Sequence, residues 1–336
     1  MERVLITGAS GYIGTKLLSL LAGKEEVKRI VGLDIKPTRV KSEKLVFVQQ
    51  DVRKPIDTLL AEHQIDTVVH AAWVVTQLHN RKLMEDVNVN GTRSVLSCCA
   101  GSRVRQLLLL SSATAYGFFA DNDDPLTEES PLRGNDDFTY SRTKRLIEGF
   151  FPAFVSDNPG IAVTVVRPSF VVGPGFISNP LGRHLTKAIV LLPSNVPPFQ
   201  YVHEDDLIDI LYLLLRSRKA GIFNVGADGV ITVEEMIRFL RARVVRLPFG
   251  IMSLATKLAW GLRLSFITEF PAPALNLARY RWVTSSEKLK KELGYGFRFT
   301  SAEAFKDFAD SVLNNDKGAY NGTERLQRGP DRAGPQ

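Results

Sequence analysis

Cysteine is nearly absent from this chain of 336 residues, which holds only Cys98 and Cys99. Neighbours in sequence are poor partners for a structural disulfide. A disulfide-stapled secreted fold is therefore excluded and a reducing compartment is expected. No uncharged apolar run reaches the roughly 18 residues of a membrane span. Met1 leads directly into Arg3 to Gly8, with no apolar leader or cleavage site, so no secretory signal is expected and the location is read as cytoplasmic. Histidine is also scarce: the 5 residues show neither His-x-x-x-His nor Cys-x-x-Cys spacing. No metal site is expected, and His203 reads as a structural hydrogen-bonding group. Internal repeats and base-stacking modules are missing, which argues against a nucleic-acid partner.

Present instead is a globular composition, 44% hydrophobic and 24% charged, with 43 basic residues against 36 acidic ones. Short apolar runs at Val4 to Ile6, Ile30 to Leu33, Leu45 to Val48, Thr67 to His70, Gln106 to Leu110 and Ala162 to Val166 read as strands. Helical stretches such as Thr15 to Ala22 and Val87 to Ala100 lie between several of them. Continuous apolar strands alternating with helices predict an α/β fold, a doubly wound parallel sheet covered on both faces. This Rossmann-type domain is assigned to residues 1–175. A smaller mixed lobe follows at 176–313, with crossings back to the first domain near 200–226. Within it, Tyr201 to Leu215 reads as the start of a helix, Ile222 to Val225 as a strand, and Ser285 to Leu293 and Ser301 to Leu313 as helices. Residues 314–336, almost without apolar side chains, read as a disordered tail.

Gly8, Gly11 and Gly14 fall between the first strand and the first helix, with Tyr12 and Ile13 among them. Missing Cβ atoms allow a tight turn and close approach of the backbone to a pyrophosphate, and the helix N-terminus offers free amides. Asp34 ends the second strand, 20 residues after Gly14, where a carboxylate accepts hydrogen bonds from an adenosine ribose and repels a 2′-phosphate. The constellation points to NAD; Lys36 and Arg39 nearby leave room for NADP. Farther on, Tyr140 and Lys144 stand four residues apart, on one helix face. A nearby ammonium favours phenolate and lowers the tyrosine pKa, so Tyr140 can exchange a proton with an alcohol.

From the spacing Gly-x-x-Gly-x-x-Gly onward, the chain resembles the extended short-chain dehydrogenase/reductases, the NAD-dependent epimerase/dehydratase family. The likeness continues through Asp51-Val52, His70-Ala71-Ala72-Trp73, Asn88-Val-Asn-Gly-Thr92, Leu110-Ser-Ser-Ala-Thr-Ala-Tyr-Gly117 and Tyr140-Ser-Arg-Thr-Lys144. It implies an adenine contact at Asp51 and Val52, a loop beside the nicotinamide at Ala71, Ala72 and Trp73, and further cofactor contacts at Asn88 and Pro168. It also implies three catalytic residues. Ser112 orients the substrate oxygen, Tyr140 is the acid/base, and Lys144 holds the nicotinamide ribose and tunes the tyrosine. A homodimer joined through helices near Asn88 to Ala100 and Tyr140 to Phe150 follows from the same resemblance.

The departures bear on substrate. Dehydratases of the family carry an Asp-Glu pair where this chain has Ala113 and Thr114, so water elimination is not expected. Epimerases place Asn after the sixth strand, where this chain reads Arg167-Pro-Ser-Phe170, and many carry Arg-Asp where Phe199-Gln200 stand. Thr114, Phe170 and Arg183 are the candidate substrate contacts, and Arg279 or Arg281 could also clamp a phosphate. Abundance within the family ranks a sugar nucleotide first, in an epimerase or oxidoreductase acting at a secondary alcohol or ketone. A dehydrogenase or reductase of apolar secondary alcohols, like those of 3β-hydroxysteroids or dihydroflavonols, is the alternative. A non-catalytic dinucleotide sensor or assembly subunit is the reading from another class.

The net charge of +7 is concentrated. Arg238, Arg241, Arg243, Arg246, Lys257 and Arg263 stand in a stretch without one acid, interleaved with Leu247, Phe249, Ile251, Met252, Leu254, Leu258, Trp260 and Leu262. Residues 238–263 read either as a basic amphipathic segment, for peripheral contact with a membrane surface or for covering the substrate pocket, or as a helix on the small lobe with solvated arginines.

Overall fold

The structure, a computed structural model, describes residues 1–187 and 189–327, with side chains through 314. Its strands are β1 Arg3–Thr7, β2 Arg29–Asp34, β3 Leu45–Gln49, β4 Thr67–His70, β5 Gln106–Leu110, β6 Ala162–Pro168, β7 Phe170–Val172, β8 Ile189–Pro193, β9 Tyr201–His203, β10 Gly221–Val225 and β11 Arg243–Leu247. Seven of them form one parallel sheet in the order β10-β6-β5-β4-β1-β2-β3. The fold is the expected doubly wound α/β sheet.

Strand pleating divides the core between the two faces. In β1, Val4 and Ile6 join Leu17, Leu18 and Leu21 of the helix Tyr12–Ala22 and Leu207, Leu211 and Leu214 of the helix Glu204–Ser217. Leu5 points the other way, toward Val95 and Leu96 of the helix Gly91–Cys99 and Ile147 of the helix Thr139–Glu148. The strand order reverses between β1 and β4. The crevice outside their carboxyl ends is where α/β sheets bind ligands.

Beyond β6 the chain leaves the large sheet and returns. β7 pairs with β9, then the helix Glu204–Ser217 covers the sheet and β10 becomes its edge strand. Tyr201 to His203 is thus strand, not the helix start expected from sequence. The second lobe has its own core, in which Phe176, Tyr201, Met236, Phe305 and Phe308 meet. A two-stranded parallel sheet, β8 with β11, lies on it.

The basic stretch also departs from expectation. The stretch 238–263 is not one segment: it holds the end of the helix Val233–Leu240, β11 and the helix Phe249–Gly261. The last helix spans Ser301–Gln327, and the remainder of the tail, 328–336, lies outside the described residues.

Candidate active site

The glycine-rich turn is closed by its own backbone. Gly8 adopts φ +73°, and a Cβ there would stand 2.7 Å from the backbone of Ala71 and Ala72. At Gly14 a Cβ would meet the Gly8 carbonyl oxygen at 2.0 Å. No other residue lets the helix Tyr12–Ala22 start so close under the loop. Its first turn contains no acid and its N-cap, Gly11, offers no capping side chain, so the leading amides remain free for a phosphate. The Ser10 and Lys36 amides donate to Asp34 at 3.0 Å each, holding its carboxylate beside the turn. This cradle fits a dinucleotide.

Across the crevice, a buried chain of hydrogen bonds fixes the loop after β4. His70 Nδ1 lies 2.8 Å from Thr7 Oγ1, and its Nε2 lies 3.0 Å from Thr92 Oγ1. Burial depresses the imidazole pKa to about 3, with the Lys144 charge adding to the effect. His70 is therefore neutral in the folded protein and basic once unfolded. Its contribution to stability is complete above the ordinary histidine value of 6.5 and is lost as pH falls toward 3. The slope is up to about 1.4 kcal/mol per pH unit. An NMR titration is expected to show no protonation of His70 down to about pH 4.

Several residues that the resemblance places at the cofactor also hold the loops around its crevice. Asn88 Oδ1 accepts from the Val74 amide at 2.9 Å, so its amide pins the loop that carries Trp73. Asp51 accepts from the Arg53 amide and Nε at 2.9 and 3.1 Å, and that hydrogen-bonded guanidinium holds its carboxyl below the usual range. Val52 packs beneath Gly91, where a Cβ would approach it to 2.6 Å. None of these three lines the central cavity, nor does Ala72.

That cavity, of about 340 Å³, runs from Gly8, Gly11, Tyr12, Ile13 and Gly14 past Ala71 and Trp73 to Ser112, Tyr140, Lys144 and Pro168. The structure thus brings the three expected catalytic residues together at the cofactor crevice. Ser112 follows β5, its hydroxyl accepting from the Thr114 amide at 3.2 Å. Tyr140 sits in the first turn of the helix Thr139–Glu148, against Phe138 and the edge of Trp73. Lys144 is buried one turn on, donating to the Leu110 carbonyl at 2.9 Å, with its ammonium 3.6 Å from the centre of the Trp73 ring.

The expected electrostatics are reversed. Tyr140 keeps one side open to the cavity, yet its surroundings desolvate the hydroxyl and raise its pKa to about 12, a hydrogen bond with Ser112 opposing this. Burial lowers Lys144 to about 7, with Glu148 pulling upward. Removing both groups from water outweighs their mutual attraction, because Lys144 points at Leu110 and Trp73 and lies 5.9 Å from the Tyr140 ring centre.

Sequence reasoning missed the support beneath this pair. Glu148, one helical turn after Lys144, is buried and accepts from Arg167 Nε at 2.9 Å and Nη2 at 2.6 Å, and from the Ser111 hydroxyl. Arg167 Nη1 donates to Tyr116 at 2.7 Å. A Glu four residues after the lysine and an Arg within an apolar strand were the available signals. Glu204, also missed, is buried and accepts from Tyr12 and from the Gly175 amide, tying the glycine-rich helix to the second lobe.

At its far end the cavity is walled by Phe170, Phe199, Leu192, Met236, Leu277 and Trp282. Among the described residues its lining contains no arginine, and Lys144 is its one lysine. Arg183, expected to touch substrate, pairs with Glu269, which lines the cavity, and donates to the Ser178 carbonyl at 2.7 Å. Arg281 pairs with Asp124 at 2.6 Å, and Arg279 covers the Phe249 ring. Thr114 and Phe170 do line the cavity. Four buried polar atoms without a partner among the described residues, on Trp73, Gln77, Thr114 and Ser169, belong to side chains of the same wall.

A model of the NAD dependent epimerase/dehydratase family matches residues 4–226. An uncharacterized protein of Mycobacterium tuberculosis is 29% identical over 318 residues, covering 91% of this chain and 82% of that protein. A 4-hydroxy-2-methyl-3-oxo-4-farnesyl-3,4-dihydroquinoline-1-oxide ketoreductase of Stigmatella aurantiaca is 25% identical over 325 residues, covering 89% and 93%. Among solved structures, dTDP-glucose 4,6-dehydratase of Bacillus anthracis in complex with NAD superposes with a TM-score of 0.73 at 18% identity, covering 94% of this chain and 98% of that one. At that identity the likeness shows the shared fold.

Proposed function

The chain belongs to the NAD dependent epimerase/dehydratase family, and from that premise we propose that it is an NAD-dependent oxidoreductase of apolar secondary alcohols or their ketones. One observation carries the choice over a sugar nucleotide: the far part of the cavity is predominantly apolar, its lining also including Asn179, His184 and Glu269, and among the described residues it presents no arginine to a diphosphate. A buried diphosphate without cationic partners would bear a large desolvation cost. The farnesyl-bearing substrate in the name of the Stigmatella relative is of the apolar kind proposed.

NAD, when bound, supplies the hydride acceptor or donor, held by the Gly8 to Gly14 turn and by Asp34. The protein supplies proton chemistry and position. Tyr140 takes the alcohol proton during oxidation and returns it during reduction, while Ser112 fixes the substrate oxygen by hydrogen bonding. Lys144 would hold the nicotinamide ribose and, when protonated, would favour the tyrosinate. Its lowered pKa makes that help pH-dependent near neutrality.

The test follows reduced nicotinamide while the protein meets UDP-sugars on one side and sterol-like or flavonol-like secondary alcohols on the other. Stoichiometric NADH with the apolar alcohols supports the proposal. Conversion of a UDP-sugar to its epimer without net NADH overturns it, and silence toward every substrate despite bound cofactor favours a sensor.

Asp34 carries the choice of NAD over NADP. The native protein is expected to prefer NAD by tenfold or more in kcat/KM, about 1.4 kcal/mol, and Asp34→Ala to lose most of that preference. A native preference for NADP would end this assignment.

A further inference from the structure

One face of the second lobe combines apolar exposure with unpaired positive charge. On the helix Phe249–Gly261, Met252, Thr256 and Ala259 are buried against the lobe. Ile251, Leu254 and Leu258, continued by Leu262 at the end, recur at spacings that make a second stripe on another side. These four and Phe266 are between 57% and 75% exposed. Beside them, Ile189 and Leu191 of β8 and Val245 of β11 are also exposed, with Leu191 and Val245 in register. Lys187 Nζ donates to the Phe266 carbonyl at 3.1 Å and ties the turn after the helix to the chain just before β8. Isolated exposed leucines need no explanation, but a clustered set of this kind marks an interaction surface.

The charges select the occupant. From Met236 to Thr268 the sequence holds no carboxylate. Arg243, Lys257 and Arg263 are exposed, and among the described residues none has a carboxylate within 4.0 Å. A second copy packed on this face about a two-fold axis would bring cations near cations. An anionic lipid surface accepts both parts of the pattern, the apolar stripe at the boundary of headgroups and acyl chains and the basic groups against phosphates. No helix among the described residues is long and apolar enough to cross a membrane, so contact would be peripheral.

We propose that the helix Phe249–Gly261, the turn through Phe266 and the outer side of β8 and β11 dock on an anionic lipid bilayer. Leu191 and Met252, from the same elements, line the catalytic cavity, so the docked face adjoins the substrate's route. Loading of a bilayer-dissolved substrate rests on the apolar-substrate reading. Docking does not, and it is measured without substrate, so the two ideas fail separately.

The test is co-sedimentation of the full chain with vesicles of phosphatidylcholine alone and of phosphatidylcholine with phosphatidylserine. Binding is expected to the anionic vesicles, weaker by at least about tenfold to the neutral ones, and reduced by high salt. Two variants are compared, Leu254→Asp with Leu258→Asp and Phe266→Asp, and Arg243→Gln with Lys257→Gln and Arg263→Gln. Each is expected to lose at least about tenfold in vesicle binding while Tm and NAD binding stay unchanged. The charge variant changes only exposed side chains and keeps the test open should the aspartates disturb folding. Absence of pelleting by the native chain, or equal pelleting by the charge variant, overturns the proposal. So does a dimer in sedimentation equilibrium that Leu258→Asp dissociates while vesicles bind nothing, which would assign the face to a second copy.

Discussion

Tyr140→Phe is expected to lower turnover by about 10²- to 10⁴-fold while leaving NAD binding within a factor of about two, the range that a positioned proton carrier contributes. The ring stays where Phe138 and Trp73 hold it, so packing changes little. Only the hydroxyl goes, and with it the group that hydrogen-bonds Ser112. Neither neighbouring group can replace it. Ser112 is far too weak an acid and base near neutrality, and Lys144 donates to the Leu110 carbonyl. Single-turnover hydride transfer, with cofactor affinity measured separately, distinguishes the lost proton step from lost binding. Unchanged turnover would remove Tyr140 from the mechanism.

Arg167→Met is expected to cost about 3–5 kcal/mol of unfolding free energy, because it strands Glu148 as a buried, unpaired carboxylate. Both partners are almost wholly enclosed, and Arg167 also donates to Tyr116, whose hydroxyl bonds in turn to Thr127 and Asn224. Denaturant unfolding would report the loss. Adding Glu148→Gln to Arg167→Met is expected to recover part of it, since a neutral amide is less costly to bury than a lone charge. The pair also stands directly behind the reaction centre. Glu148 favours the protonated form of Lys144 and accepts from Ser111, the neighbour of Ser112, so activity should fall even where the variant remains folded. A loss below about 1 kcal/mol would mean that the network is worth no more than an exposed ion pair.

Local chemistry was legible in the chain because it is written in short spans. The apolar runs matched β1 to β6 within a residue or two at most ends, since a strand buried on both faces must be apolar throughout. Gly8 and Gly14 could be read because the turn tolerates no side chain there. Asn88 and Asp51 were harder: their residue types suit a ligand contact, and only folding shows their polar atoms engaged with Val74 and Arg53. The second lobe was least legible. Its strands β8 and β11 form a separate pair, and the bonds that build it join residues far apart in sequence, as Arg183 to Glu269 does.

By itself, then, the sequence determined the doubly wound sheet, the glycine-rich turn and the helix face that presents Tyr140 and Lys144, because strand, turn and helix periodicities are local properties. Tertiary structure decided the rest. It set the electrostatics around Tyr140 and Lys144, since desolvation depends on everything packed around a group. It paired Arg183 with Glu269 and left the cavity lining without an arginine among the described residues. It also divided one basic stretch into a strand and a helix, turning an apolar stripe outward that the sequence could count but not orient.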